Sequence, residues 1–135
     1  MAVVIEIVAM GHLARAGLLA AALAVCGCAA NVQTVTRPGS PPRAAKGPDC
    51  RLQIHPADRR LDPSCQEIGD VFVGDTGFTI DCDWNRALEI VHQEACRFGA
   101  DAAQIVAHYE PSFWGSTCHQ VRARFLVCGT VQTRE

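Results

Sequence analysis

DWNRALEIVHQEACRFG, residues 83 to 99, decides the fold. Trp84, Ala87, Leu88, Val91, Ala95 and Phe98 recur at spacings of three and four, which gathers them on one face of a helix from Asp83 to Phe98. Asp83 stands where a carboxylate can accept from the free N–H groups of the first turn. Gly99 stands where a left-handed residue ends a helix. A helix with a single apolar face needs an apolar surface to cover it.

Outward from the helix the period becomes two. Upstream, CRLQIHP from Cys50 alternates Leu52 and Ile54 with polar neighbours, ADRRLDPS makes a polar connection, and CQEIGDVFVG from Cys65 gives a second strand, with Gly74 and Gly77 bracketing a turn. Downstream, DAAQIVAHYE from Asp101 predicts a short buried strand and Pro111 to Thr117 a loop. In HQVRARFLVCGTVQT, Val121, Ala123, Phe125 and Val127 then alternate with Gln120, Arg122, Arg124 and Leu126, as in a strand with one buried and one wet face. The expected fold is an α+β domain over residues 50–135, one helix packed on a small, mostly antiparallel sheet of about four strands.

Eight cysteines in 135 residues would pair in an oxidising envelope and stay reduced in a cytosol, so the N-terminus matters. AGLLAAALAV, residues 16 to 25, follows Arg15 and precedes cysteine. It is too short to span a bilayer, which takes about 20 residues, and it reads as the core of an export signal. The preceding MAVVIEIVA carries Glu6 and no Lys or Arg, whereas a start at Met10 gives a well-formed signal. Residues 1–27 are thus expected to be a lipoprotein signal peptide, with Met10 as the expected true start, from which Met1 to Ala9 would not be made. Gly27 supplies the small residue wanted before a lipidated cysteine and Val25 does not, so Cys28 rather than Cys26 is the expected site of acylation, palmitate included. Ala29 is not the Asp that retains enteric lipoproteins at the inner membrane, which favours the outer membrane with the domain in the periplasm or at the cell surface.

Residues 29–49 hold four Pro and two Gly and read as a disordered, Pro-rich tether, reaching roughly 65 Å if extended at about 3.1 Å per residue. Arg37, Arg43 and Lys46 against Asp49 make it +2, while eight Arg against twelve Asp or Glu make residues 50–135 −4. A mildly acidic domain without clustered Lys and Arg gives no footprint for nucleic acid.

Removal of the signal leaves Cys50, Cys65, Cys82, Cys96, Cys118 and Cys128, enough for three disulfides of about 2 to 4 kcal/mol each. Cys82 and Cys96 stand fourteen residues apart, roughly 21 Å along a helix, and cannot bond each other. Cys96 lies on the helix flank, which suits Cys50 or Cys65 as its partner. Cys118 and Cys128 share the parity of Arg122 and Arg124, on the sheet face away from the helix, which disfavours Cys96 with Cys128.

Other chemistry is sparse. His92, His108 and His119 lack zinc-site spacing with the cysteines, so neither a metal nor another cofactor is expected. G-x-S-x-G, P-loop and Rossmann glycine patterns are missing, and Asp81 with Asp83 reads as helix capping, so an enzyme is not expected. Phe113 and Trp114 in the 111–117 loop are expected to fold back on the sheet or, failing that, to contact a partner.

The order of lipid cysteine, Pro-rich basic tether and cysteine-bonded α+β domain resembles the RcsF-like outer-membrane lipoproteins, sensors of envelope stress. Ile68, Gly69, Asp70 and Val71 resemble that family's LGEV-like strand, Ala100 to Ala102 the segment after its helix, and Cys118 and Cys128 its last two cysteines, over about residues 66–129. The resemblance implies a bridge between Cys82 and Cys118. The family's other bridge would need a cysteine where Tyr109 stands, which leaves Cys128 without that partner and Cys50, Cys65 and Cys96 as extras. It further implies a tether that threads an outer-membrane barrel protein and a domain that contacts an inner-membrane regulator. A structural or ligand-binding envelope lipoprotein without signalling is the alternative.

Overall fold

The structure is a computed structural model and describes residues 29–77 and 79–129. The expected signal peptide, Met10 and Cys28 lie outside the described residues. The elements are β1 Asn31–Thr36, β2 Gln53–His55, β3 Cys65–Gly74, α1 Trp84–Arg97, β4 Ala102–Tyr109 and β5 Gln120–Cys128. One helix thus packs on a five-stranded, mostly antiparallel sheet of order β1-β3-β5-β4-β2.

Strands β3 and β4 are each antiparallel to β5, which lies between them, so they run parallel to one another. Parallel strands cannot be joined by a tight turn, and α1 supplies the crossover. Its apolar face meets Val71, Val73, Ala103, Ile105, Val121, Ala123 and Phe125 through Ala87, Val91 and Ala95, all buried. The Phe98 ring packs on Phe125 with centroids 4.9 Å apart. It also lies over Gly69, where a Cβ would come 3.0 Å from Phe98 Cε1 and 2.6 Å from the Val35 carbonyl oxygen.

The helix ends are built as the residues demand. The Asp83 carboxylate accepts from the Arg86 N–H at 2.7 Å. At the other end Gly99 has φ 71°, its N–H donates to Cys96 and the Ala100 N–H donates to the Ala95 carbonyl. That pair of bonds around a left-handed glycine is the Schellman arrangement.

Residues 29–49 correct the expectation of a free tether, and the folded domain therefore begins well before residue 50. NVQTVT forms β1, paired antiparallel with β3 from Asn31 opposite Gly74 to Thr36 opposite Gly69. The chain then turns at Pro38 and Gly39 and passes the C-terminal end of α1 as a strap. There the Lys46 N–H donates to Cys96 O at 2.9 Å, Arg43 Nε donates to Gly99 O at 3.0 Å, and Lys46 Nζ meets Asp101 Oδ1 at 2.8 Å. Carbonyls at a helix end lack intrahelical donors and attract cations, so a proline-rich segment that cannot make a helix serves here as a cap. The strap delivers the chain to β2, which pairs parallel with β4 at the opposite edge of the sheet.

From β2 the 56–64 connection returns across the face away from α1. Gln104 on that face is 2% exposed, and its amide nitrogen donates toward the carbonyls of Pro56, Ala57 and Arg59. Leu126, expected on a wet face, is buried as well. The alternation in β5 is real, but only Arg122 of its outward residues is exposed.

All six described cysteines are paired. Cys96 takes Cys50, one of its two expected partners. Cys82 bonds Cys118, as the resemblance implies. Cys128 bonds Cys65, its opposite number across the β3–β5 ladder. The placing of Cys118 on the outer face is corrected: it precedes the first residue of β5, so strand parity does not reach it, and it is buried against the start of the helix segment.

Candidate functional site

One end of the sheet gathers the residues left without a structural duty. Asn31 opens β1 beside Gly74, the last residue of β3, while Val73 faces Val121 and Tyr109 faces Gln120. The start of β1, the exit of β3, the β4–β5 connection and the N-terminus of α1 therefore share this end.

Two covalent or polar ties fix the β4–β5 connection there. The Cys82–Cys118 bridge joins it to the residue before the helix cap, and the His119 N–H donates to Cys82 O at 3.1 Å. Asp75, just past β3, accepts from Ser116 Oγ at 2.9 Å and from the Gly77 N–H at 2.7 Å. The Gly77 N–H and the Ser116 hydroxyl hold the Asp75 carboxyl below the usual carboxylate range.

Within this frame Ser112 and Ser116 close a small loop, the Ser112 N–H donating to Ser116 O at 2.9 Å and the Gly115 N–H to Ser112 O at 3.3 Å. Phe113 and Trp114 occupy its tip, 90% and 94% exposed, with their rings edge to face at 5.2 Å. The expectation that they fold back on the sheet is thus overturned: a tight turn places both side chains outward, and they shield each other in part. Ile80, on the segment leading to Cys82, is 81% exposed. Three large apolar side chains at one end, where none packs on the core, form the candidate contact surface.

Trp84, in the first turn of α1, lies beside the imidazoles of His108 and His119 at centroid distances of 4.1 and 6.1 Å, and His108 Nε2 and His119 Nδ1 are 2.9 Å apart. The two imidazoles also stack on each other with centroids 5.1 Å apart, so residues weighed from the sequence as zinc ligands pack here against Trp84 and one another. Among the described residues no three His, Cys, Asp or Glu side chains converge as a metal site. His92 stands apart on α1, its Nδ1 3.9 Å from Cys96 Sγ.

A groove of about 600 Å³ opens on the outer face, lined in part by Arg37, Leu61, Glu67, Ile68, Arg124 and Leu126. Its charges satisfy one another, with Arg37 3.0 Å and Arg124 3.8 Å from Glu67. No described helix is long and apolar enough to cross a membrane. No protein-family model, curated protein or solved structure matches this chain.

Proposed function

We propose that this chain is an outer-membrane lipoprotein, acylated at Cys28, whose disulfide-stapled α+β domain acts by contact with other molecules rather than by catalysis. The observation that carries the reading is the pairing of all six described cysteines behind a signal-like N-terminus. Three bridges in a domain of this size belong to a compartment that oxidises thiols, which an exported chain reaches and a cytosolic one does not. Intact mass of the purified protein, before and after reduction, tests it. Diacylglyceryl and acyl mass on Cys28 with a gain of six hydrogens on reduction is expected. An unmodified Cys28, or six thiols before reduction, would overturn it.

Envelope-stress sensing of the RcsF kind is one form of such contact. An outer-membrane barrel protein is within reach of a domain held at the bilayer. Residues 29–49 are folded into β1 and the strap, so contact with an inner-membrane regulator would have to come from the domain itself and not from a long free tether. An envelope-stress reporter that responds equally with and without the gene would sink the sensing role and leave the structural or ligand-binding alternative.

A further inference from the structure

Only Ala29 and Ala30 stand between Cys28 and Asn31, the first residue of β1. Three residues of fully extended chain reach about 11 Å, so the acyl-bearing cysteine of the lipoprotein reading lies within that distance of Asn31. Asn31 is at the end of the sheet that carries Phe113 and Trp114: it pairs with Gly74, the next residue is Asp75, and Asp75 holds Ser116 in their loop. A lipid anchor on so short a leash turns this end, and no other, toward the membrane.

We infer that the Phe113–Trp114 turn, with Ile80 on the segment bridged to it by Cys82–Cys118, is a docking surface for a phospholipid bilayer that holds the domain flush against the membrane carrying Cys28. The inference rests on the lipoprotein reading and goes beyond it by fixing which end faces lipid. The chemistry fits the interface. The Trp114 indole, an apolar body with one N–H, favours the headgroup level of a bilayer, and the Phe113 ring adds apolar area that is buried at the acyl boundary. The turn is tied down by the Asp75–Ser116 bond and a disulfide, so little order is lost on docking. Asp75, Asp81, Asp83 and Glu110 share this end, and their charge suits a zwitterionic surface rather than an anionic one. Arg43 and Lys46 sit at the opposite end of α1, beside Gly99 and Asp101, and so point away from the bilayer.

The test is tryptophan fluorescence of the purified, acylated protein reconstituted into phosphatidylcholine vesicles whose acyl chains carry bromine near the headgroup. The chain has two tryptophans, so Trp84→Phe isolates Trp114 and Trp114→Phe isolates Trp84. Trp114 is expected to shift to the blue on reconstitution and to be quenched by bromine, while the Trp84 signal is quenched several-fold less. Phe113→Ser, a change at an exposed position that leaves the core untouched, is expected to lose part of the Trp114 quenching. Intact mass of the same preparation separates the two ways of failing. Acylated protein with a water-exposed, unquenched Trp114 overturns the docking alone. Absence of acyl mass overturns the lipoprotein reading and the docking with it. A blue shift already present before lipid is added points to self-association through the turn and overturns the bilayer as occupant.

Discussion

Gln104 Oε1 receives two bonds from the Arg124 guanidinium, 3.0 Å from Nε and 2.6 Å from Nη2. The same side chain turns its amide nitrogen toward Pro56 O and Arg59 O at 3.1 and 2.8 Å. One buried amide thereby pins the 56–64 crossover to the sheet. Gln104→Leu keeps much of the volume and removes every bond of the amide, so the Ala57 and Arg59 carbonyls lose its donor and the Arg124 guanidinium is left with Glu67, 3.8 Å away. A loss of about 1 to 3 kcal/mol in urea unfolding is expected. An unchanged midpoint would show that the connection does not depend on Gln104.

The strap depends on Cys50–Cys96, which closes a span of 46 residues. Chain-entropy reasoning puts its contribution at up to about 4 kcal/mol, less where the other bridges already restrict the unfolded chain. Cys50→Ser with Cys96→Ser is therefore expected to lower the unfolding midpoint and to open the strap. Trypsin should cut after Arg43 and Lys46 in the double variant much faster than in the oxidised parent. Equal cleavage rates would mean that Lys46 N–H to Cys96 O and Arg43 to Gly99 O suffice to hold it.

Gly99 is constrained twice, by φ 71° and by the Ala44 carbonyl oxygen 2.5 Å from where a Cβ would stand. Gly77 has φ 81° but nothing within 4 Å. Alanine at either position meets the left-handed penalty of about 1 to 2 kcal/mol. Only Gly99→Ala must also displace the strap, so it is expected to cost more than Gly77→Ala in the same thermal or urea series. Equal costs would locate the whole effect in φ.

Asp101 gives the domain an acid limit. Burial opposes its ionisation, but the Lys46 ammonium, the Cys128 N–H and the charge of Arg43 outweigh that and hold its carboxyl below the usual range. A carboxylate depressed in the folded state stabilises it above the unfolded value of about 3.9 and loses that effect as pH falls through the folded value. Stability is expected to hold from neutral pH to about 5 and to fall below about 4. Asp101→Asn should flatten that acid slope while lowering stability at pH 7, as read from unfolding midpoints at each pH. A slope identical to the parent's would assign the acid limit to Asp75 and Asp62, whose carboxyls are also held low.

The sequence by itself determined the elements whose periodicity is local: α1 with its Asp83 and Gly99 ends, and the strands at 53–55, 65–74, 102–109 and 120–128, because apolar faces at periods of 3.6 and two are written in neighbouring residues. It also narrowed Cys96 to two partners, since a helix fixes direction and reach. It did not settle residues 29–49. Val32, Thr34, Val35 and Thr36 are strand-forming residues, but a six-residue segment that runs into Pro38 and Gly39 has no stability alone, and β1 exists because the β3 edge accepts it. Likewise Leu126 reads as wet and is buried, the carbonyls that hold the Gln104 amide come from the distant 56–59 segment, and Cys128 found Cys65 only through the β3–β5 register. Which end of the molecule Phe113, Trp114 and Asn31 share was decided by the tertiary structure alone, because it depends on strand order, and strand order is a pairing between segments that no local pattern records.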